Sequence, residues 1–189
     1  MAMRAIKPVA PWAPWIAFLL IAHGSMGRLG VGLVVALLLG VLLAAMRLYE
    51  GVLMWAGLLF FGLALIAVFG LHSTWFRSYL TAIANGMLAA GAWGSLLVGR
   101  PFTLAYARES TDPAMWDHPL FIRVNQVITA VWAAALTINA GVAWVQVQQL
   151  LPGWATNALQ IATLLAATLF SSWYPNRVRR RAQSTPPES

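Results

Sequence analysis

Leu29-Gly-Val-Gly-Leu-Val-Val-Ala-Leu-Leu-Leu-Gly-Val-Leu-Leu-Ala-Ala-Met46 contains no charged side chain and no polar one. An apolar run of about 20 residues is the length at which a helix crosses the roughly 30 Å hydrocarbon core of a bilayer. Backbone amides must be satisfied within such a segment, so the run is read as a transmembrane α-helix and not as a strand. The same scale applied outward predicts further spans over 11–25, 52–71, 79–98, 121–147 and 154–173. The first is short and opens on Pro11 and Pro14.

Composition agrees with that reading. Of 189 residues, 60% are hydrophobic and 9% charged, against about 25% charged in an ordinary soluble domain. Five acidic and twelve basic side chains cannot clothe a water-soluble globule of this size. Disorder is excluded by ten Trp, eight Phe and long aliphatic runs. Cysteine is absent, which removes disulfides, thiolate chemistry and Cys-ligated metals.

The predicted fold class is therefore all-α, a polytopic bundle of six transmembrane helices in one domain over 1–175. Basic residues accumulate on the cytoplasmic side of a membrane. With six spans and the N-terminus inside, Arg4, Lys7, Arg47, Arg100, Arg108, Arg123, Arg177, Arg179, Arg180 and Arg181 lie inside, and Arg28 and Arg77 outside. Both termini are thus expected in the cytoplasm. A cleaved signal peptide is the rival reading of the first 25 residues, but Pro11, Trp12, Pro14 and Trp15 suit its apolar region poorly. Residues 176–189 are polar, basic and proline-containing. They read as a disordered tail whose arginines attract anionic lipid headgroups.

Helices in lipid approach closely where side chains are small. Gly32, Ala36, Gly40 and Ala44 recur at intervals of four on the second span, and Gly86, Ala90 and Gly94 on the fourth. Both stripes are expected to pack, within one bundle or as a homodimer seam. Polar atoms at membrane depth turn away from lipid. Asn125, Thr129, Trp132, Leu136 and Asn139 follow the i, i+4, i+7, i+11, i+14 pattern of one helix face. Thr81, Asn85, Leu88, Ala92 and Ser95 do the same on the fourth span, and Gln160 lies within the sixth. Asn85, Asn125, Thr129, Trp132, Asn139 and Gln160 are the candidate intramembrane polar site, either as interhelical hydrogen bonds or as the lining of a solute path.

Ionisable chemistry is sparse. Glu50 lies three residues from Arg47, the spacing of an interfacial ion pair, and His23, His72 and His118 fall near span ends or loops. Neither a bis-His haem nor a metal cluster is spaced for, so no catalytic residue, cofactor or metal is assigned. The long stretch over 100–120 is read as a cytoplasmic interfacial loop. Pro101 is placed to open a short helix on which Phe102, Ala105 and Tyr106 share a face and Arg108 and Glu109 come last. Arg100, Phe102, Tyr106, Arg108 and Trp116 are the expected lipid contacts.

The order of landmarks resembles the intracellular septation protein A family of bacterial inner-membrane proteins. The likeness runs through a short first span, the outer turn Trp75-Phe-Arg77, Gly99-Arg100-Pro101, Trp116, Arg123-Val-Asn125, Trp132, Asn139-Ala-Gly141 and Leu151-Pro152. Few lysines, an Arg-rich tail and the loop from Phe102 to Glu109 depart from it, as in a neighbouring branch. The resemblance implies an inner-membrane protein of envelope maintenance and division, with other envelope or division proteins as partners and no catalytic residue to carry over. A non-enzymatic scaffold working through helix and lipid contacts is the leading expectation. The alternative is a small-solute or lipid transporter or channel subunit using the polar faces of the fourth and fifth helices. No nucleic acid is expected as a partner.

Overall fold

The computed structural model describes residues 13–22, 25–46, 51–109 and 111–184. Among them the chain is helical without a strand. The elements are α1 (Ala13–Ile21), α2 (Met26–Ala45), α3 (Val52–Leu65) running on into a π-helical turn (Ile66–Gly70), α4 (Thr74–Ser78), α5 (Leu80–Leu97), α6 (Thr103–Glu109), a 3₁₀ turn (Pro113–Met115), α7 (Pro119–Val147) and α8 (Gly153–Ser184). Three of these helices, α2, α5 and α7, are long and apolar enough to cross a membrane.

Local chemistry sets the boundaries. Ser25 caps α2 by accepting from Arg28 N, and Ser73 caps α4 by accepting from Phe76 N. Gly99, at φ 71°, closes α5, with Arg100 N returning to Ser95 O at 2.9 Å. The Asp112 carboxylate accepts from Ala114 N to start the 3₁₀ turn. His118 Nδ1 accepts from Leu120 N, and Pro119 occupies the first helical position of α7. Two helix ends use a non-glycine residue in the left-handed region. His72 (φ 53°) follows the π turn, where Leu71 N reaches Ile66 O, and Gln149 (φ 55°) ends α7, where Leu150 N reaches Val145 O.

Contacts gather into two compact units, with the division falling between Gly91 and Ala92, within α5. In the first, α2 packs against α1 and α3. Gly32, Leu33, Ala36 and Gly40 are buried along α2. A Cβ on Gly32 would stand 3.0 Å from Ala22 Cβ and 3.2 Å from Ala22 N, which marks the closest approach of α2 to the chain after α1. Trp15, Phe18, Phe60 and Phe61 form an aromatic cluster, with Trp15 stacked on Phe60 at 5.3 Å between centroids.

The glycines of the second stripe stand in open space among the described residues. A Cβ on Gly86 or Gly94 would meet nothing within 4 Å among the described residues, and Ala90 is exposed. The tight position on α5 is Gly91, one residue round from Ala90, whose added Cβ would stand 2.6 Å from Val52 Cγ1. Spacing by four identifies a stripe but not the side of the helix a neighbour occupies.

In the second unit α7 and α8 form an antiparallel hairpin, and α6 packs on α7. The tail expectation is corrected: 176–184 are helical as the end of α8, and only 185–189 lie outside the described residues. Pro175 restricts Tyr174 and removes one backbone donor, which is why the sequence reads as a break there. Side chains carry the helix across. Phe170 stacks on Tyr174 at 5.0 Å, and Asn176 Nδ2 donates to Ser172 O at 2.9 Å. The expected pair of Arg47 and Glu50 lies outside the described residues, as does His23.

Candidate functional site: the polar seam of the α7–α8 hairpin

The face predicted on α7 is buried in the structure. Asn125 is 3% exposed, Thr129 0% and Asn139 1%, with Leu136 beside them. Trp132 is half-buried. Spacing of 3.6 residues per turn puts these side chains on one stripe, and their polar atoms find partners there.

The seam has three sections. At the end of α7 nearest α6, Thr103 Oγ1 donates to Asn125 O at 3.0 Å and lies 2.8 Å from Thr129 Oγ1. With its proton on Asn125 O, the Thr103 oxygen accepts from Thr129. The Asn125 amide donates to its own helix at Phe121 O. In the middle, Trp132 Nε1 donates to Ser171 Oγ at 2.9 Å, and Ser171 passes its proton to Ala167 O. Toward the hairpin turn, the one proton of the Thr163 hydroxyl is shared between Asn139 Oδ1 and Gln160 O, while Asn139 Nδ2 donates to Gln160 O at 3.4 Å. Gln160 Nε2 in turn donates to Gln146 Oε1 at 3.4 Å.

Of the residues singled out in the sequence, Asn139 and Gln160 are brought together, Asn125 and Thr129 share Thr103, and Trp132 meets Ser171. Asn85 belongs to the other unit and donates to Thr81 O on its own helix. Sequence reasoning missed Thr103, Gln146, Thr163 and Ser171. The signal for two of them was present: Gln160, Thr163, Ala167 and Ser171 fall at i, i+3, i+7 and i+11 on α8, and Ala167 is 1% exposed.

A second polar seam fixes the exit from α5. Ser95, buried, donates to Ala92 O at 2.7 Å and accepts from Phe102 N at 3.2 Å, which turns the chain into α6. Trp93 Nε1 donates to Thr137 Oγ1 on α7 at 3.2 Å.

The short helix expected after Pro101 is present as α6, ending at Glu109 as predicted. Phe102 and Tyr106 meet edge to face at 6.3 Å. Arg108 Cζ stands 5.3 Å over the Trp116 ring, whose Nε1 donates to Thr111 O. Arg100 is exposed. The contacts on the segment between α5 and α7 are thus two pairs, Phe102 with Tyr106 and Arg108 with Trp116.

Among the described residues, Trp15 Nε1 and Arg108 Nε are the buried side-chain nitrogens or oxygens without a hydrogen-bond partner. Neither lies on the seam. Its buried polar groups serve one another, and the arrangement can hold two helices in register at low dielectric. Comparison with known proteins adds no assignment: no family model, curated protein or solved structure matches this chain.

Proposed function

We propose that the chain is a non-enzymatic, multi-pass protein of the bacterial inner membrane that acts as an envelope scaffold through helix and lipid contacts. The observation that carries this reading is the closed polar seam of α7 and α8. A transport path needs polar groups free to exchange a protein partner for a solute, whereas Asn139, Thr129 and Trp132 are already engaged by Thr163, Thr103 and Ser171. The proposed topology has six spans, with both termini and the loop over 100–120 on the cytoplasmic side, supported by the distribution of Arg and Lys. The order of Trp, Asn, Gly and Pro landmarks connects the scaffold reading to septation.

Cross-linking in cells followed by mass spectrometry of co-purified proteins tests the function. A stoichiometric membrane-protein partner of the envelope or division machinery is expected. Solute flux in proteoliposomes that is abolished by Asn139→Leu at unchanged thermal stability would overturn the scaffold. Reporters fused after Met3, Asp112 and Ser189 test the topology, with cytoplasmic signals expected at all three. A periplasmic signal at Asp112 reverses the orientation.

A further inference from the structure

The exposed face of α8 is a graded stripe. Ile161, Leu165, Leu169 and Trp173 follow one another at intervals of four and are 58%, 56%, 69% and 52% exposed. Arg177 continues the stripe four residues on and Arg180 three beyond that, both exposed. Apolar side chains therefore give way to an indole and then to two guanidinium groups along a ridge that turns about 40° around the helix at each step of four, so that Leu165, Leu169, Trp173, Arg180 and Arg177 span about 120° of its surface. From Trp154, 76% exposed, to Trp173 the helix rises about 28 Å at 1.5 Å per residue, close to the roughly 30 Å core thickness. On that scale Arg177 stands about 6 Å further out, at headgroup level.

Arg177 is held by an aromatic contact, and its own helix brings no acidic side chain beside it. Arg177 Cζ lies 5.2 Å from the centroid of the Trp173 ring, a contact that fixes the guanidinium beside the indole and leaves its edge donors outward. The sequence from Gly153 to Arg180 contains no acidic residue. Arg179 is also exposed but lies about 160° around the helix from Arg177, about 120° from Trp173 and about 100° from Arg180, at 100° per residue.

We infer that Trp173, Arg177 and Arg180 form a binding site for the phosphate of an anionic membrane phospholipid, whose acyl chains run along Leu169 and Leu165. The guanidinium edge supplies forked donors matched to phosphate oxygens, the indole sits at the interface where aromatic rings partition, and the apolar line receives the chains. The inference rests on the proposal that α8 crosses the membrane, and it goes beyond that reading by naming a lipid class and its receptor residues.

The test adds phosphatidylglycerol or phosphatidylcholine to the purified full-length protein in neutral detergent and measures bound lipid by native mass spectrometry. Wild type is expected to retain phosphatidylglycerol preferentially. Each interfacial cation changes affinity about fivefold, so Arg177→Gln and Arg180→Gln should each weaken it by about that factor, and together about 25-fold. Arg179→Gln, off the stripe, should change it less than twofold. Inorganic phosphate at constant ionic strength should not displace the lipid. Equal retention of the two lipids, equal loss in Arg179→Gln and Arg177→Gln, displacement by free phosphate, or retention of a labelled RNA in place of lipid each overturns the site. Circular dichroism of the variants guards against misfolding, and because the arginines are exposed each variant is expected to keep its helicity. Carbonate extraction separates the two readings: a protein released from membranes removes the span, whereas an integral protein with no lipid preference removes only the lipid site.

Discussion

Replacing Gly32 with Ala adds one methyl group where α2 meets the end of α1. That Cβ would stand 3.0 Å from Ala22 Cβ, 3.2 Å from Ala22 N and 3.3 Å from Ala22 Cα. Two of the three neighbours are backbone atoms, so no rotamer change relieves the crowding. Overpacking of this kind costs about 1–3 kcal/mol, while exchanging glycine for alanine inside a helix returns about 1 kcal/mol of propensity. The net expectation is a loss of up to about 2 kcal/mol. Gly86→Ala and Gly94→Ala enter open space and retain only the propensity gain, so their sign is opposite, at up to about 1 kcal/mol of stabilisation. Unfolding in mixed micelles, titrated with sodium dodecyl sulfate and followed by circular dichroism, would rank the three. Ala22→Gly in the Gly32→Ala background should recover part of the loss, because it removes the nearest atom but leaves the backbone contacts. A Gly32→Ala protein as stable as wild type, with Gly94→Ala destabilised, would refute the reasoning.

Asn139→Leu and Thr163→Val remove the two halves of one buried hydrogen bond. Each should cost about 1 kcal/mol, and the double variant less than the sum, since membrane hydrogen bonds contribute about 0.6 kcal/mol on average and up to about 2; the same micelle titration reads this as a double-mutant cycle. Gln149→Gly and His72→Gly replace left-handed residues at helix ends and should each raise stability by about 1 kcal/mol, visible as a higher thermal midpoint. Thr103→Val removes the hydroxyl that joins α6 to Asn125 O and Thr129. Amide exchange within Thr103–Glu109 should then accelerate while that of α7 changes little; protection unchanged in both helices would show that packing of Leu104 alone holds α6.

The inward face of α7 was legible because its polar residues keep helical spacing through an otherwise apolar run, and only one side of a membrane helix tolerates them. Its partners were less so. Threonine and serine bond their own helix as readily as a neighbour, and here Ser171 does both, donating to Ala167 O and accepting from Trp132. Type and spacing therefore do not reveal which hydroxyls cross a seam. The small-residue stripes show the same limit from the packing side. Gly32 and Gly86 look alike in sequence, yet one lies against Ala22 and the other faces nothing within 4 Å among the described residues. The difference is set by which neighbour arrives, and that is a property of the tertiary fold.

On the proposed topology, the pairing of α7 with α8 accounts for α8 not being among the three helices that are long and apolar enough to cross a membrane. Thr156, Gln160 and Thr163 lower the hydropathy of α8 as though each met lipid. Thr156 is 0% exposed and donates to Gly153 O, while Gln160 and Thr163 face Gln146 and Asn139. Polar atoms satisfied inside a hairpin carry little of the cost they would carry in hydrocarbon. The surface left outward includes Ile161, Leu165, Leu169 and the two terminal tryptophans, together with Asn157, Thr168 and Ser172, of which Thr168 and Ser172 bond their own helix at Leu164 O and Thr168 O. On the proposed topology α7 and α8 insert as a pair, with the seam formed before either helix is stable alone. Loss of Asn139 and Thr163 together should then impair insertion of α8 more than that of α7, because α7 is apolar enough to cross unaided. A glycosylation-site reporter placed after Leu150 and another after Ser184, scored in microsomes, distinguishes the two helices, and equal insertion of α8 with and without the seam would show that it enters on its own apolar face.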